Sequence, residues 1–292
     1  MKLLVVGGSG FLGGYVLREA ARRGHQTLAL ARSPEAARAV AANGARPLSG
    51  DLDDARRLDE AFAAASCEVL LCLASLGHGH GPNIVAAAED AGVPRAVFVS
   101  TTAVTTTLHR PTRQIRLTAE EQIRGSGLDW TILRPKMIYG AAGDRNLSRL
   151  LPLLRRAAAL PVPATGGCLH QPVHVGDVAD AVLTALQCPA AVGSLYNVAG
   201  PEPLPFAELL RTCARVVGSR TRLVPVPLAP LVTLARGYER LSRHPRIRPE
   251  QLLRLAEDKA FPIEAAIRDL GYAPRPFADG IGDEAHALGL AA

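Results

Sequence analysis

Short continuous apolar runs and amphipathic stretches alternate along the first half of the chain. The runs KLLVVG (2–7), QTLALA (26–31), ARPLSGDL (45–52), EVLLCLAS (68–75), RAVFVST (95–101) and DWTILRP (129–135) are brief and mostly apolar. Such runs fit strands buried on both faces. Helix patterns lie between them. Residues 11–23 set Leu12, Val16 and Ala20 on one face, and PEAARAVAANG opens on Pro34 and ends at Gly44, the usual asymmetry of helix ends. DDARRLDEAFAAA (53–65) carries acids at its start, where they suit the helix dipole. NIVAAAEDAGV (83–93) ends in a glycine turn, and TAEEQIRGSG (118–127) closes a further helix. This alternation predicts an α/β fold, a doubly wound parallel sheet with helices on both faces. Ligands on such sheets sit at the carboxyl ends of the strands.

After Tyr139 and Gly140 the rhythm changes, and proline, glycine and short apolar pieces dominate. The boundary is placed there: 1–140 as the sheet domain, 141–292 as a smaller α/β lobe, partly interleaved with the sheet around 171–200. QPVHVGDVADAVLTAL (171–186) reads as a strand, with His170 and His174 flanking Pro172, followed by a helix capped by Asp177. Both histidines are taken as structural. LYNVAG (195–200) reads as a strand, PFAELLRTCARVVG (205–218) as a helix and RLVPVP (222–227) as extended. PEQLLRLAEDK (249–259) and PIEAAIRDLG (262–271) are short helices. SRHPRIRP (242–249) is a basic, solvated loop. Trp130 is assigned to the core.

Composition narrows the classes. The chain has 292 residues, 48% apolar and 21% charged, with a net charge of +6. Nearly all the positive charge is arginine, since Lys2, Lys136 and Lys259 are the only lysines. The arginines are scattered and aromatics are few, so no nucleic-acid partner is expected. The most apolar stretch, LVPVPLAPLVTLA (223–235), is too short to span a bilayer and contains Pro225, Pro227 and Pro230. No membrane span is expected. It reads instead as a packed helix after a proline-rich turn. The 5 cysteines show no paired spacing. Together with a start directly on a strand, they fit a reducing, cytoplasmic setting. Cys67 and Cys72 read as buried thiols.

The first strand-to-helix turn carries Gly7, Gly10 and Gly13 at three-residue spacing. Gly7 permits the sharp turn, Gly10 lets a pyrophosphate approach the backbone, and Gly13 lets the helix pack close to the sheet. The helix start at Ser9, Phe11 and Leu12 then offers N–H groups and a partial positive charge to phosphates. The second strand ends about 20 residues on. Arg32 follows it, where a site for NAD(H) would carry an acid for the ribose 2′-hydroxyl. An arginine suits a 2′-phosphate, and Ser33 can add a hydroxyl contact. NADP(H) is therefore expected over NAD(H). Asp51 and Leu52, leaving the third strand, are placed to reach the adenine. Ala74 and Ser75, leaving the fourth, line the middle of the cofactor. Pro135, at the end of the sixth strand, lies beside it.

The pieces GGSGFLG, LAR, GDLDD, AGVPRAVFVSTT, EEQIRGSGLDWTILRPKMIYG, HVGDVADAVLTAL and YNVAGPEPLPFAELL together resemble the short-chain dehydrogenase/reductase superfamily, in its extended or atypical branches. The likeness is strongest to the NAD(P)H-binding group that includes NmrA-like regulators and complex I accessory-subunit-like proteins. It implies a Rossmann domain, a small C-terminal substrate lobe and a nicotinamide dinucleotide. It also implies a catalytic Tyr-x-x-x-Lys on the helix before LRP, and here those positions fall on Thr112 and Arg116. The residue four before Lys136 is Ile132 and the one four before Lys259 is Leu255, so the motif occurs nowhere in the chain.

An alkyl hydroxyl is too weak an acid for Thr112 to replace tyrosine. Arg116 stays charged and can hold a ribose or phosphate. Ser100, Thr101 and Thr102 stand where the resemblance implies a substrate-binding hydroxyl. Lys136 follows the sixth strand on the ligand side and reads either as a catalytic group or as a rim lysine. Tyr139 is expected to pack beneath a loop rather than act as an acid. His78 and His80 form an H-x-H pair with no evident third ligand, so no metal is expected. They read as a solvated loop or as a proton or phosphate contact. Two functions stay open: an NADP(H)-dependent oxidoreductase or epimerase-like enzyme with an unusual proton donor, acting on a small molecule, and a nucleotide-binding sensor or assembly protein without turnover.

Overall fold

The computed structural model describes residues 1–106, 111–140, 143–144, 146–164, 167–242, 249–255 and 257–291. Most of the basic loop at 242–249 therefore lies outside the described residues. In chain order the elements are β1 (Lys2–Val6), α1 (Phe11–Arg22), β2 (Gln26–Ala31), α2 (Pro34–Ala42), β3 (Arg46–Ser49), α3 (Ala55–Ala65), β4 (Val69–Cys72), α4 (Gly81–Asp90), β5 (Arg95–Val99), α5 (Pro111–Gly125) and β6 (Asp129–Pro135). There follow β7 (Ile138–Tyr139), α6 (Leu147–Arg156), β8 (Ala159–Pro163), β9 (Leu169–His170), β10 (Val173–His174), α7 (Val175–Gln187), β11 (Ser194–Val198), β12 (Leu204–Pro205), α8 (Phe206–Val216), β13 (Arg222–Val226), α9 (Leu228–Leu241), α10 (Pro249–Leu255), α11 (Glu264–Leu270) and α12 (Phe277–Ala287).

The chain divides into two units. The first comprises Met1–Lys136, Val175–Val198 and Pro262–Ala273. Its parallel sheet has seven strands in the order β11-β6-β5-β4-β1-β2-β3. The expected doubly wound Rossmann sheet is thus present. The strand order reverses between β1 and β4, which opens a crevice at their carboxyl ends. Leu4, Val6, Leu70, Cys72, Phe98 and Ile132 of the central strands share one core with Leu58, Phe62 and Ile84 of the flanking helices. Helix ends follow local chemistry. Ser33 Oγ accepts from Ala36 N–H at 3.2 Å and Asp54 Oδ1 from Arg57 N–H at 3.2 Å, so each caps its helix. Cys67 and Cys72 are buried as expected, and burial pushes the Cys72 thiol up to about 12. Trp130 is only partly buried, leaning on the edge of the core.

The second unit comprises Met137–His174, Ala199–Phe261 and Pro274–Ala292. Tyr139, Leu151, Leu154, Leu209, Phe277 and Ile281 form its core. Here the structure corrects several local expectations. His170 and His174 do not share a strand: β9 pairs antiparallel with β12, and β10 pairs parallel with β7. Pro172 stands between them and offers no N–H to a ladder. α7 begins at Val175, straight out of β10, so Asp177 lies within the first turn instead of capping it. The position still suits an acid, because the dipole end is positive. Two helices carried no sequence signal: α6 holds Pro152 inside it, and α12 contains Gly280 and Gly282. The 223–235 stretch resolves into β13 and the start of α9. Among the described residues no helix is long and apolar enough to cross a membrane.

Candidate nucleotide and substrate site

The turn from β1 to α1 is shaped by absent side chains. Gly7 has φ +88°, and a Cβ there would stand 2.7 Å from Ala74 N, so the turn is pressed against the exit of β4. Gly13 is tighter still, because a Cβ would fall 2.3 Å from Gly7 O and 2.5 Å from Gly8 O. Gly10 differs: its added Cβ would meet only Gly7 O, at 3.3 Å, and the residue is exposed. Gly10 is the N-cap of α1, with no side-chain cap and no acid in the first turn. The first N–H groups of the helix, at Phe11, Leu12 and Gly13, have no intrahelical acceptor. Leu12 itself is buried while Ser9 beside it is exposed. An uncapped, acid-free helix start facing open space fits a pyrophosphate.

Arg32 is exposed directly after β2. The Ser33 hydroxyl caps α2, and the Glu35 backbone N–H, then the Ser33 hydroxyl, hold the Glu35 carboxyl below its usual range. Asp51 Oδ1 accepts from Asp53 N–H at 3.1 Å, so its carboxylate is engaged within its own turn, and Leu52 leans on the core. Ser75 Oγ accepts from Gly77 N–H at 3.3 Å and caps a short helical turn over Leu76–His78. His80 Nε2 lies 3.8 Å from Asp53 Oδ1, and the His78 and His80 rings are 6.3 Å apart.

The far side of the crevice is built from β5, α5 and β6. Arg116 Nη1 donates to Thr112 Oγ1 at 3.0 Å and to Thr112 O at 3.3 Å. The positions where the resemblance implies tyrosine and lysine thus bond one another along the helix. The guanidinium covers Gly77, where a Cβ would lie 2.7 Å from Nη2 and 2.8 Å from Cζ. This contact brings α5 onto the loop after β4.

Ser100 Oγ donates to Glu120 Oε1 at 2.5 Å, and Glu120 is 2% exposed. Arg134 Nε donates to the same oxygen at 3.0 Å, and its Nη2 pairs with Glu120 Oε2. Sequence reasoning missed Glu120 and Arg134. Both stood in EEQIRGSGLDWTILRP, but no spacing rule joins a helix position to a strand position 14 residues later. With its proton committed to Glu120, Ser100 can only accept from a ligand. Thr101 Oγ1 accepts from Ala103 N–H at 3.2 Å, an arrangement that leaves the hydroxyl proton available for donation. Thr102 is buried against Pro135 O, at 3.5 Å. Lys136 is partly buried, and its backbone N–H donates to Val198 O at 2.9 Å. Tyr139 belongs to the second unit and is fully buried, edge-on to His174 and Phe277. It packs, as expected, and is sealed from any ligand.

Comparison with known proteins sets these features in context. A family model described as NAD(P)H-binding matches residues 7–189. A 4-hydroxy-2-methyl-3-oxo-4-farnesyl-3,4-dihydroquinoline-1-oxide ketoreductase of Stigmatella aurantiaca is 29% identical, over 94% of this chain and 92% of its own. The photosystem II assembly factor Ycf39 of Synechocystis is 24% identical, over 79% of this chain and 72% of its own. Among solved structures, the UDP-glucose 4-epimerase of Thermus thermophilus, in complex with NAD, superposes with a TM-score of 0.72 at 20% identity, covering 99% of both chains. That likeness speaks for the fold alone.

Proposed function

The chain belongs to the NAD(P)H-binding family, and from that premise we propose that it is an NADP(H)-dependent reductase of small carbonyl compounds that works without the tyrosine–lysine pair. The observation that carries the cofactor choice is Arg32, exposed at the end of β2 where an acid would favour NAD(H). The ketoreductase relative supports a carbonyl substrate. Bound NADPH supplies a hydride for the carbonyl carbon. The chain must then bind the carbonyl oxygen and provide a proton. Thr101 is the hydroxyl placed to donate to that oxygen. Ser100, polarised by Glu120, accepts from a substrate donor. Lys136, at the ligand end of β6, is the cation that can stabilise developing negative charge and give up a proton. Arg116 holds a ribose or phosphate in place of the family's lysine.

NADPH should raise the melting temperature more than NADH does, and Arg32→Glu should reverse the order. Loss of a charge-assisted contact to phosphate corresponds to about tenfold to hundredfold in affinity. Equal shifts in the unmutated protein would remove the NADP(H) assignment. In a screen of ketones and quinones followed by NADPH consumption, Lys136→Met should abolish any turnover found while leaving NADPH binding intact. A normal rate would return Lys136 to the rim.

A second reading, a nucleotide-binding protein without turnover, is favoured by the Thr112–Arg116 bond and by the assembly-factor relative. It predicts NADPH binding with no consumption on any carbonyl.

A further inference from the structure

Within the second unit, two carboxyl groups are buried together. Glu284, on α12, is 0% exposed, and Asp144, just before α6, is 5% exposed. Asp144 is well supplied with donors. Its Oδ1 accepts from Asn146 N–H at 2.6 Å, and Ser148 N–H reaches both its oxygens at 3.3 Å, so it takes up backbone donors at the start of α6. Glu284 is not so supplied. Its Oε2 accepts from Gly140 N–H at 3.1 Å, while Oε1 is sealed from water and meets no donor. The neighbouring group that raises the proton affinity of Glu284 is the Asp144 carboxyl, and two carboxyls buried together cannot both ionise without cost, so one of them keeps its proton. Among the described residues no lysine or arginine pairs with Glu284.

The surrounding packing ties this pair to a contact. Gly280, one turn before Glu284, lies against the Tyr139 hydroxyl so closely that a Cβ would come within 2.2 Å of it at van der Waals cost no side chain tolerates. Phe277 of the same helix meets the Tyr139 ring edge-on at 5.3 Å. α12 thus rests on the Tyr139–Gly140 segment through one glycine, one ring and one carboxyl.

We propose that Glu284 and Asp144 share a single proton, and that this proton latches α12 onto the Tyr139–Gly140 segment and the start of α6, so that its loss frees the helix. Among the described residues, Cys213 on α8 also feels the charge of Glu284, and Tyr139 of β7, which packs on α12 at Gly280 and Phe277, has His174 of β10 edge-on to its ring. Asp279, Asp283 and His286 of α12 itself are exposed, and Asp283 accepts from Arg275. Burial, then the Asp144 carboxyl, push Glu284 up to about 9 in the closed helix. Once the helix opens, Glu284 returns to the ordinary 4.5. Between those values opening releases a proton, so the closed state is favoured at low pH and weakened as pH rises.

The test is hydrogen exchange on the full chain, comparing backbone amides of 277–287 with those of β1 and corrected for intrinsic rate. In the unmutated protein the opening constant of 277–287 should rise by up to about tenfold per pH unit between pH 6 and 9 and level off above. In Glu284→Gln, which keeps Cys213, His174 and Tyr139 in place, it should be flat. Equal slopes in the two proteins, or a flat profile in the unmutated one, would overturn the proposal. Infrared spectroscopy of the unmutated protein decides the point if Glu284→Gln does not fold. A protonated-carboxyl stretch should persist at pH 7.5 and vanish near pH 10, and its absence at pH 7.5 would refute the shared proton.

Discussion

Gly10→Val should leave the ligand-free protein folded and reduce NADPH affinity by more than about 100-fold, the equivalent of about 2.7 kcal/mol. The two halves of this result come from one geometry. At φ −79° and ψ 174° the backbone of Gly10 is extended and open to any residue. A Cβ there meets a single atom, Gly7 O at 3.3 Å, so the cost to folding should stay within about 1 kcal/mol, that of a poor N-cap. The isopropyl group would, however, fill the space above the free N–H groups of α1, where the proposed site places the pyrophosphate. Gly13→Ala is the control. Its methyl group would stand 2.3 Å from one carbonyl oxygen and 2.5 Å from the next, and it should cost about 3 kcal/mol or more in stability. Chemical denaturation and nucleotide titration of both variants separate the roles. Normal binding by Gly10→Val would move the nucleotide site elsewhere. A stability loss as large as that of Gly13→Ala would make Gly10 a matter of folding.

The second large effect is expected far from the crevice. Arg95 begins β5 and is 9% exposed, yet among the described residues no carboxylate bonds its guanidinium. Nη1 donates to Ala96 O at 3.0 Å and Asp129 O at 2.5 Å, and Nη2 donates to Thr131 Oγ1 at 2.6 Å and Ala185 O at 2.7 Å. The side chain thereby joins β5, β6 and α7, three segments of the first unit that are distant in sequence. Burial lowers its proton affinity, but arginine remains charged at any ordinary pH. Arg95→Met keeps much of the volume and strands these acceptors in the interior. The expected loss is about 3–5 kcal/mol, read as a drop of about 10 °C in melting temperature. Arg95→Lys should recover part of it, since one ammonium cannot serve both sides. A Met variant within about 1 kcal/mol of the parent would show that water replaces the guanidinium without cost.

The sheet and its first turn were legible because their causes are local. β1, β2 and β6 are runs whose residues prefer extended backbone and are buried on both faces, so the pattern alone locates them. The glycine spacing and Arg32 are likewise written within a few residues of each other. The missing tyrosine and lysine could also be read directly, since Tyr-x-x-x-Lys is a spacing within one helix. The elements that escaped are those whose causes lie elsewhere in the chain. α12 carries two glycines and should be a poor helix by propensity, at about 1 kcal/mol for each relative to alanine. It forms because Gly280 fits against Tyr139 and because Phe277, Ile281 and Ala285 enter a core. α6 survives Pro152 for a similar reason, with Leu147, Leu151 and Leu154 buried on one side.

The side-chain chemistry divides in the same way. The sequence by itself determined the doubly wound sheet, the glycine turn after β1 and the absence of Tyr-x-x-x-Lys, since each depends on residues close together in the chain. Only the tertiary structure decided that Ser100 gives its proton to Glu120, that Arg116 lies on Gly77, that Arg95 binds the carbonyl of Ala185, and that Glu284 meets Asp144. Those partners are 20, 39, 90 and 140 residues apart. Their pairing is set by which buried groups must satisfy one another once water is excluded, a condition that exists only in the folded chain.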